Sequence, residues 1–167
     1  MAFIVENEVV ISFAEYKDVL DRDSRLFDNN ESLTDTVVED SLIRATEKVL
    51  NRIKGTDWWV NLYRNRVDGS INVKDIPTPE GSKVIDRIND FTDLCVYTAL
   101  AEYILPSVAD FGLDDNSERR KMGYYENRRD ELFMELIRSG DWYDFDGDNN
   151  VSTKEKEFGN IVLKRIR

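Results

Sequence analysis

The sequence contains no histidine, so the commonest general base and the commonest nitrogen ligand for metal ions in proteins are both missing. It also contains no glycine-rich phosphate-binding motif and no nucleophile elbow. We therefore expect that the protein is not an enzyme. Hydrolysis by carboxylates alone, as in glycosidases, stays open on composition, but pairs of Asp and Glu are too frequent here to indicate one.

Cysteine is represented once, by Cys95, which excludes a disulfide between two cysteines of this chain. This cysteine lies in the apolar run "FTDLCVYTALAEYIL". Because no histidine is present to activate the thiol, we expect it to be buried and structural.

Basic residues are fewer than acidic ones, and long apolar runs are absent from the sequence. The chain has 23 Lys and Arg against 34 Asp and Glu, a net charge of -11, which disfavours binding to nucleic acid or to an anionic membrane. No apolar run approaches the roughly 20 residues of a membrane span, and "MAFIVENEVV" lacks the features of a signal peptide. We expect a soluble, cytosolic protein, without a membrane, whose partners are proteins or cations.

The length of 167 residues suits one domain with a hydrophobic core. No internal repeat or domain boundary is visible. We therefore expect a single domain over 1–167, with a helical core over 12–138 and an acidic loop and terminal helix over 139–167.

The first part of the chain predicts a short strand or hairpin followed by two helices. The stretch "FIVENEVVI" has the β-rich composition of a short hairpin. Ser12 with Glu15, and Thr36 with Glu39, have the spacing of a capping box, which predicts a helix start at each place. The polar stretch "DRDSRLFDNNES" between them reads as a loop, and Gly55 ends the second helix.

The remaining pattern predicts a long loop and further helices. Residues 55–81 contain an Asp-Gly turn signal and two prolines, and read as irregular. Residues 82–105 form the strongest helical pattern, ended by Pro106, and Ser117 can cap another helix. The predicted fold class is mainly α: a compact bundle of about four to five helices with the 55–81 loop and a short N-terminal strand or hairpin.

The stretch "DFDGDNNVSTKE", residues 144–155, has oxygen-bearing residues at the ligand positions of an EF-hand calcium loop. Asn149 replaces the usual glycine at the sharp turn, a position for which asparagine is the best substitute. We predict a structural Ca²⁺ here, and a single loop is less suited to a switch. The alternative is an acidic turn in which Ser152 and Glu155 only cap the last helix. The predicted ligands are Asp144, Asp146, Asp148, Asn150, Ser152 and Glu155.

The stretch "WWVNLYRNR" has the residue types that anchor protein interfaces. Adjacent tryptophans point in different directions on a helix or strand, so we expect at least one near the surface. Two interpretations stay open: an interface with another protein, or rings that close the open end of the core. The candidate interface residues are Trp58, Trp59, Tyr63, Arg64 and Arg66.

The order of four features resembles a known family. These are "VEDSLIRATEKVLNRIKG", a long loop that reaches "IP", a central apolar helix, and the tyrosine-rich "MGYYENRRDELFMEL". Over residues 12–138 the chain resembles the head-to-tail connector proteins of tailed bacteriophages, which are also called adaptor or head completion proteins. The acidic loop is not part of the usual family pattern.

The resemblance implies a structural virion protein made in the host cytoplasm. It implies a homo-oligomeric ring, usually a dodecamer, that lies beneath the portal protein at the head-tail junction. Such a ring extends the DNA channel, lets DNA pass without specific binding and docks the next neck or tail protein. The alternative function, from another class, is a calcium-binding regulatory protein of EF-hand type.

Overall fold

The computed structural model describes residues 3–7, 9–28, 30–66, 72–109 and 117–157. These residues are mainly helical and begin with a two-stranded antiparallel hairpin, which confirms the predicted fold class. A π-helical turn joins α5 to α6, and two 3-10 turns precede α5. In chain order the elements are β1 (Ile4–Glu6), β2 (Val9–Ser12), α1 (Tyr16–Arg22), α2 (Ser24–Asp28), α3 (Asp35–Lys54), α4 (Asp57–Arg66), α5 (Ile88–Ala99), α6 (Leu105–Val108), α7 (Ser117–Ser139) and α8 (Thr153–Glu157).

The centre of the core is α5, which packs against α3 and against α7. Its residues from Phe91 to Ala99 are buried except Asp93, as the broad apolar face of this segment predicts. Cys95 is fully buried, and its Sγ lies 3.3 Å from the Thr46 hydroxyl of α3. The expectation that this cysteine is buried is therefore confirmed, and desolvation raises the pKa of its thiol to about 12.

The predicted start of the central helix at residue 82 is wrong. Residues 81–83 form a 3-10 turn, and Val84 pairs with Tyr143 in an isolated antiparallel bridge. Arg87 then adopts a left-handed conformation with φ 56°, so α5 begins only at Ile88. The backbone of residues 84–86 is held by the chain segment before the acidic loop, and local periodicity carries no information about that contact.

The predicted helix end at Pro106 is also wrong. The helix passes through the π-helical turn Leu100–Ile104, in which the Leu105 N–H reaches back to the Leu100 carbonyl. Pro106 then lies in the first turn of α6, where its missing N–H is tolerated. The wider turn therefore accommodates the proline without a break.

The predicted irregular loop over 55–81 contains α4, which the sequence did not reveal. The Thr56 hydroxyl accepts a hydrogen bond from the Trp59 N–H, 3.3 Å away, and so helps to start the helix. Trp58, Trp59 and Leu62 are buried, and this burial stabilises a helix whose aromatic and β-branched residues have modest propensity. The predicted Asp68-Gly69 turn lies outside the described residues.

Both predicted capping boxes are displaced. The box at α1 uses Glu15 as N-cap and Asp18 as its reciprocal partner, and the Ser12 hydroxyl bonds to Ala14 instead. At α3 the N-cap is Thr34, whose hydroxyl accepts from the Val37 N–H. In both regions several Ser, Thr, Asp or Glu residues are close together, and tertiary packing selects which one caps the helix.

The stretch predicted as a loop over 21–32 contains the short helix α2. Leu26 on this helix is buried, and the Asn30 side chain donates a hydrogen bond to its carbonyl at 2.7 Å. Phe27 also packs against the core, beside the Tyr16 ring, so tertiary packing orders a helical turn that polar composition alone does not predict. Among the described helices, none is long and apolar enough to cross a membrane.

Candidate metal site and its aromatic support

The acidic loop follows the end of α7. Gly140, at φ 57°, ends that helix in the left-handed conformation that glycine favours. The preceding helix therefore does not continue into the loop, as the glycine predicts. The Asp144 N–H then donates to the Lys83 carbonyl at 2.9 Å, which fixes the first residue of the loop to the turn before α5.

Three predicted ligands come together. Asp144, Asp146 and Asp148 can each offer one carboxylate oxygen, and these oxygens lie within 4.8 Å of one another. Desolvation and the negative charges of the nearby carboxylates, Glu155 first, raise the pKa of Asp146. A divalent cation would relieve this repulsion, and oxygen ligands of this kind suit a hard cation such as Ca²⁺.

The turn within the loop has the backbone geometry that the sequence predicts. Asn149 has φ 62°, the left-handed conformation for which asparagine is the best substitute for glycine. Its N–H donates to one Asp144 oxygen at 2.7 Å, and the Gly147 N–H donates to the other at 2.7 Å. Asp144 is only 2% exposed, and its carboxylate is held by these two backbone N–H groups of the loop.

The exit of the loop is held by Glu155, which is also 2% exposed. One carboxylate oxygen accepts from the Phe145 N–H at 2.9 Å, and the other accepts from the Ser152 N–H at 2.7 Å. The second bond is one half of a capping box for α8, so the capping interpretation of this pair fits the structure. The first bond closes the loop on itself.

Of the other predicted ligands, only Glu155 offers a carboxylate. Glu155 is not part of the group whose oxygens lie within 4.8 Å. The Asn150 side chain is exposed and Ser152 is half-buried. Val151 is buried, which orients the second half of the loop toward the protein. The predicted continuation of the terminal helix beyond Glu157 lies outside the described residues.

A cluster of aromatic rings joins the residues just before the loop to α4. Trp142 is fully buried, and its indole N–H donates to the Leu136 carbonyl at 2.7 Å. Its ring centroid lies 4.7 Å from that of Trp58, and the Tyr143 centroid lies 5.0 Å from that of Trp59. The loop is therefore anchored to α4, an element that the sequence did not predict.

The expectation that one of the two adjacent tryptophans lies near the surface is wrong. Trp58 is 6% exposed and Trp59 is 2% exposed. The Trp59 indole N–H donates to the Pro77 carbonyl at 2.8 Å, so the chain after α4 covers one ring while the segment before the acidic loop covers both. The structure therefore favours the alternative interpretation, in which the rings close the end of the core.

The other candidate interface residues differ in how far they are exposed. Tyr63 is half-buried beside Phe145, with ring centroids 5.9 Å apart, and Arg64 is exposed. The side chain of Arg66 lies outside the described residues. No contact in the described part of the chain tests whether these residues bind a partner.

A network of ion pairs was missed at the sequence level. Glu102, in the π-helical turn, accepts from Lys48 of α3 and from Arg129 of α7. Arg129 and Arg52 both bond to Asp130, at 3.1 and 2.8 Å. Hydrogen bonds from these two arginines lower the pKa of Asp130, although desolvation opposes the shift. The adjacent Arg129 and Asp130 are a local part of the network, whereas its other pairs join residues far apart in sequence.

Comparisons of the chain with protein-family models, with curated proteins and with solved structures find no match. The described residues define a class, a mainly helical domain that presents an acidic loop at the end of its core. Its function has to be inferred from the chain's own residues.

Proposed function

We propose that the protein is an adaptor subunit of a phage neck. In this role it forms a ring beneath the portal protein, extends the DNA channel and docks the next neck or tail protein. The observation that carries the proposal is the packing of α5 between α3 and α7, with the tyrosine-rich α7 as the last long helix of the described residues. Three of the four features on which the resemblance to connector proteins rests are this order of helices, whereas the fourth, the long loop, contains α4.

The charge of the chain supports the same role. A net charge of -11 repels the DNA backbone, so a channel lined by this protein would let DNA slide without holding it. Assembly on a portal ring requires contacts between proteins and no chemical step, which agrees with a sequence that lacks histidine.

The experiment is to purify the epitope-tagged chain with its native complexes and to image them by electron microscopy. We expect a ring of this protein at the portal vertex of a capsid. Light scattering of the isolated chain then shows whether it assembles without the portal. A monomer in this measurement alone does not contradict the proposal, because assembly can depend on the portal. A chain that is recovered as a monomer from cells and is absent from all particles would contradict the proposal.

We propose as a second function that the loop over 144–155 binds one structural Ca²⁺. The convergence of three carboxylates within 4.8 Å favours it, together with the left-handed Asn149. The ion would neutralise the repulsion among the carboxylates and fix α8 to the end of α7. The ligands would be Asp144, Asp146 and Asp148, with Asn150, Ser152 and Glu155 completing the oxygen set.

Substitutions of Asp146 and Glu155 distinguish calcium binding from simple helix capping. The calcium proposal predicts that Asp146→Asn weakens Ca²⁺ binding and raises the melting temperature in chelator, because the folded state disfavours this charge. Glu155→Gln should lower the melting temperature in chelator, since its oxygens hold two backbone N–H groups.

The measurements are titration calorimetry with Ca²⁺ and thermal unfolding with and without chelator. Asp75→Asn, an exposed carboxylate outside the loop, is the control for loss of one negative charge. If Ca²⁺ produces no heat and no change in melting temperature, the loop is only a helix cap. If Ca²⁺ binds and exposes apolar surface, the regulatory alternative replaces the structural one.

A further inference from the structure

A groove with a cavity volume of about 240 Å³ runs between α5 and α7. Its floor includes Tyr97 and Leu132, which contribute apolar surface. Arg128 is the single cationic residue in its lining. Four carboxylates line the rim, so the lining has a net charge of -3: Asp90, Asp93, Glu131 and Glu135.

Each of these carboxylates already has an arginine partner within the chain. Arg87 contacts Asp90 and Glu135, Arg22 contacts Asp93, and Arg128 contacts Glu131. The side chains in these pairs range from 26% exposed at Arg87 to 67% exposed at Glu131. Arg22 and Arg87 do not line the groove, but they offset two of the three negative charges of its lining and leave a local charge of -1. Ion pairs that are open to solvent hold their partners weakly. A cationic segment that enters the groove can therefore share the carboxylates without breaking a buried contact.

The face of α7 beside the groove carries an exposed apolar side chain. Met134 is 48% exposed and lies in a second depression that Glu131 and Glu135 also line. Together, the groove and Met134 place apolar side chains beside carboxylates, and Arg128 and Arg138 are cationic residues of the two linings. Such a surface fits a segment that combines apolar and basic residues.

The chain itself contains such a segment. Residues 158–167, "FGNIVLKRIR", lie outside the described part of the chain and include no acidic residue. Lys164, Arg165 and Arg167 give the segment a charge of +3 within a chain of net charge -11. Five apolar residues accompany them: Phe158, Ile161, Val162, Leu163 and Ile166.

We infer that residues 158–167 of one copy dock in the α5–α7 groove of a neighbouring copy. The inference rests on the proposed ring and names the contact that joins its subunits. Because the groove and the segment are different surfaces of one chain, the contact is heterologous, and such contacts build rings when the rotation closes.

The segment is long enough for this contact. Ten extended residues span up to roughly 35 Å. The groove follows α7 from Arg128 to Glu135, a rise of about 10 Å along a helix. A segment of this length can therefore cover the groove from end to end.

Charge reversal on each side tests the contact in the full chain. One variant carries Glu131→Lys and Glu135→Lys in the groove, and the other carries Lys164→Glu and Arg165→Glu in the segment. We expect the isolated wild-type chain to associate reversibly at high concentration in sedimentation velocity, even where a closed ring needs the portal, and we expect each variant alone to lose this association. A mixture of the two should associate, because each reversed surface then meets a reversed partner.

A fluorescent peptide with the sequence of residues 158–167 supplies a direct binding measurement. We expect it to bind the segment variant and to bind about tenfold more weakly to the groove variant, with a strong dependence on salt. Glu126→Lys with Asp75→Lys changes the net charge by the same amount at exposed positions outside the groove. This control should leave peptide binding unchanged at equal ionic strength.

The outcomes separate this inference from the proposed function. Equal peptide affinity for the groove variant and the control would overturn the inference. The inference would also be overturned if both variants formed rings at the portal vertex as well as the wild-type chain does. If the mixture does not associate although the peptide binds, the segment docks within its own chain and the contact between subunits is excluded. Absence of the protein from capsids would instead contradict the adaptor role.

Discussion

Two glycines of the α7 region have opposite effects on the stability of the fold. Gly140 ends α7 at φ 57°, and a Cβ added there would lie 2.7 Å from the indole nitrogen of Trp58. That nitrogen is buried and has no hydrogen-bond partner. Gly123 lies inside α7, and a Cβ there would meet no atom within 4 Å. The first glycine is required by its surroundings, whereas the second only weakens its helix.

We expect Gly140→Ala to lower the free energy of unfolding by about 2 kcal/mol or more, since the strained backbone and the tryptophan contact both oppose a side chain. Gly123→Ala should raise it by about 0.5–1 kcal/mol, because alanine favours the helical state. Urea unfolding of both variants measures the difference.

Gly147→Ala serves as the control for backbone strain alone. Gly147 has φ 80°, and a Cβ there would meet nothing within 4 Å. If Gly140→Ala and Gly147→Ala have equal effects, the contact with Trp58 does not contribute to the requirement for glycine at position 140.

At the level of the elements, the π-helical turn decides how three helices are joined. It places Glu102 where Lys48 of α3 and Arg129 of α7 both reach it. The side chains of Glu102 and Arg129 are 19% and 17% exposed, so this pair is largely removed from water. Arg52 adds to the same region by lying over the Phe133 ring, 3.9 Å from its centroid.

We expect Glu102→Gln to lower the free energy of unfolding by about 2 kcal/mol, because it leaves Arg129 half-buried with a weaker partner. The measurement is chemical unfolding at neutral pH. Glu47→Gln on α3, an exposed position, is the matched control and should change stability by less than about 0.5 kcal/mol. Equal values for the two variants would mean that Glu102 acts only as a surface charge.

At the scale of the whole molecule, the aromatic cluster joins segments that are distant in sequence. Trp58 and Trp59 of α4 contact Trp142 and Tyr143, and Trp142 also contacts Phe91 of α5 at 4.8 Å between centroids. The backbone of residues 83–86 is bonded to residues 142–144. The acidic loop is therefore attached to the main core through its first residues.

We expect the protein to unfold in one cooperative transition. Far-UV circular dichroism reports all helices, and tryptophan fluorescence reports the cluster beneath the loop, so the two thermal curves should coincide. A fluorescence transition several degrees below the loss of helix would mean that 139–157 unfolds as a separate unit. The same measurement on Phe91→Leu should show both curves shifted together.

The fold class, the hairpin, the burial of Cys95 and the turn at Asn149 could all be predicted from the sequence. Each of these follows from local composition, periodicity or the conformational preference of one residue. The burial of both Trp58 and Trp59 on α4, and the start of α5 at Ile88, depend on tertiary contacts. Helix propensity is too weak to order these segments, and contacts with residues more than fifty positions away supply the stabilising burial.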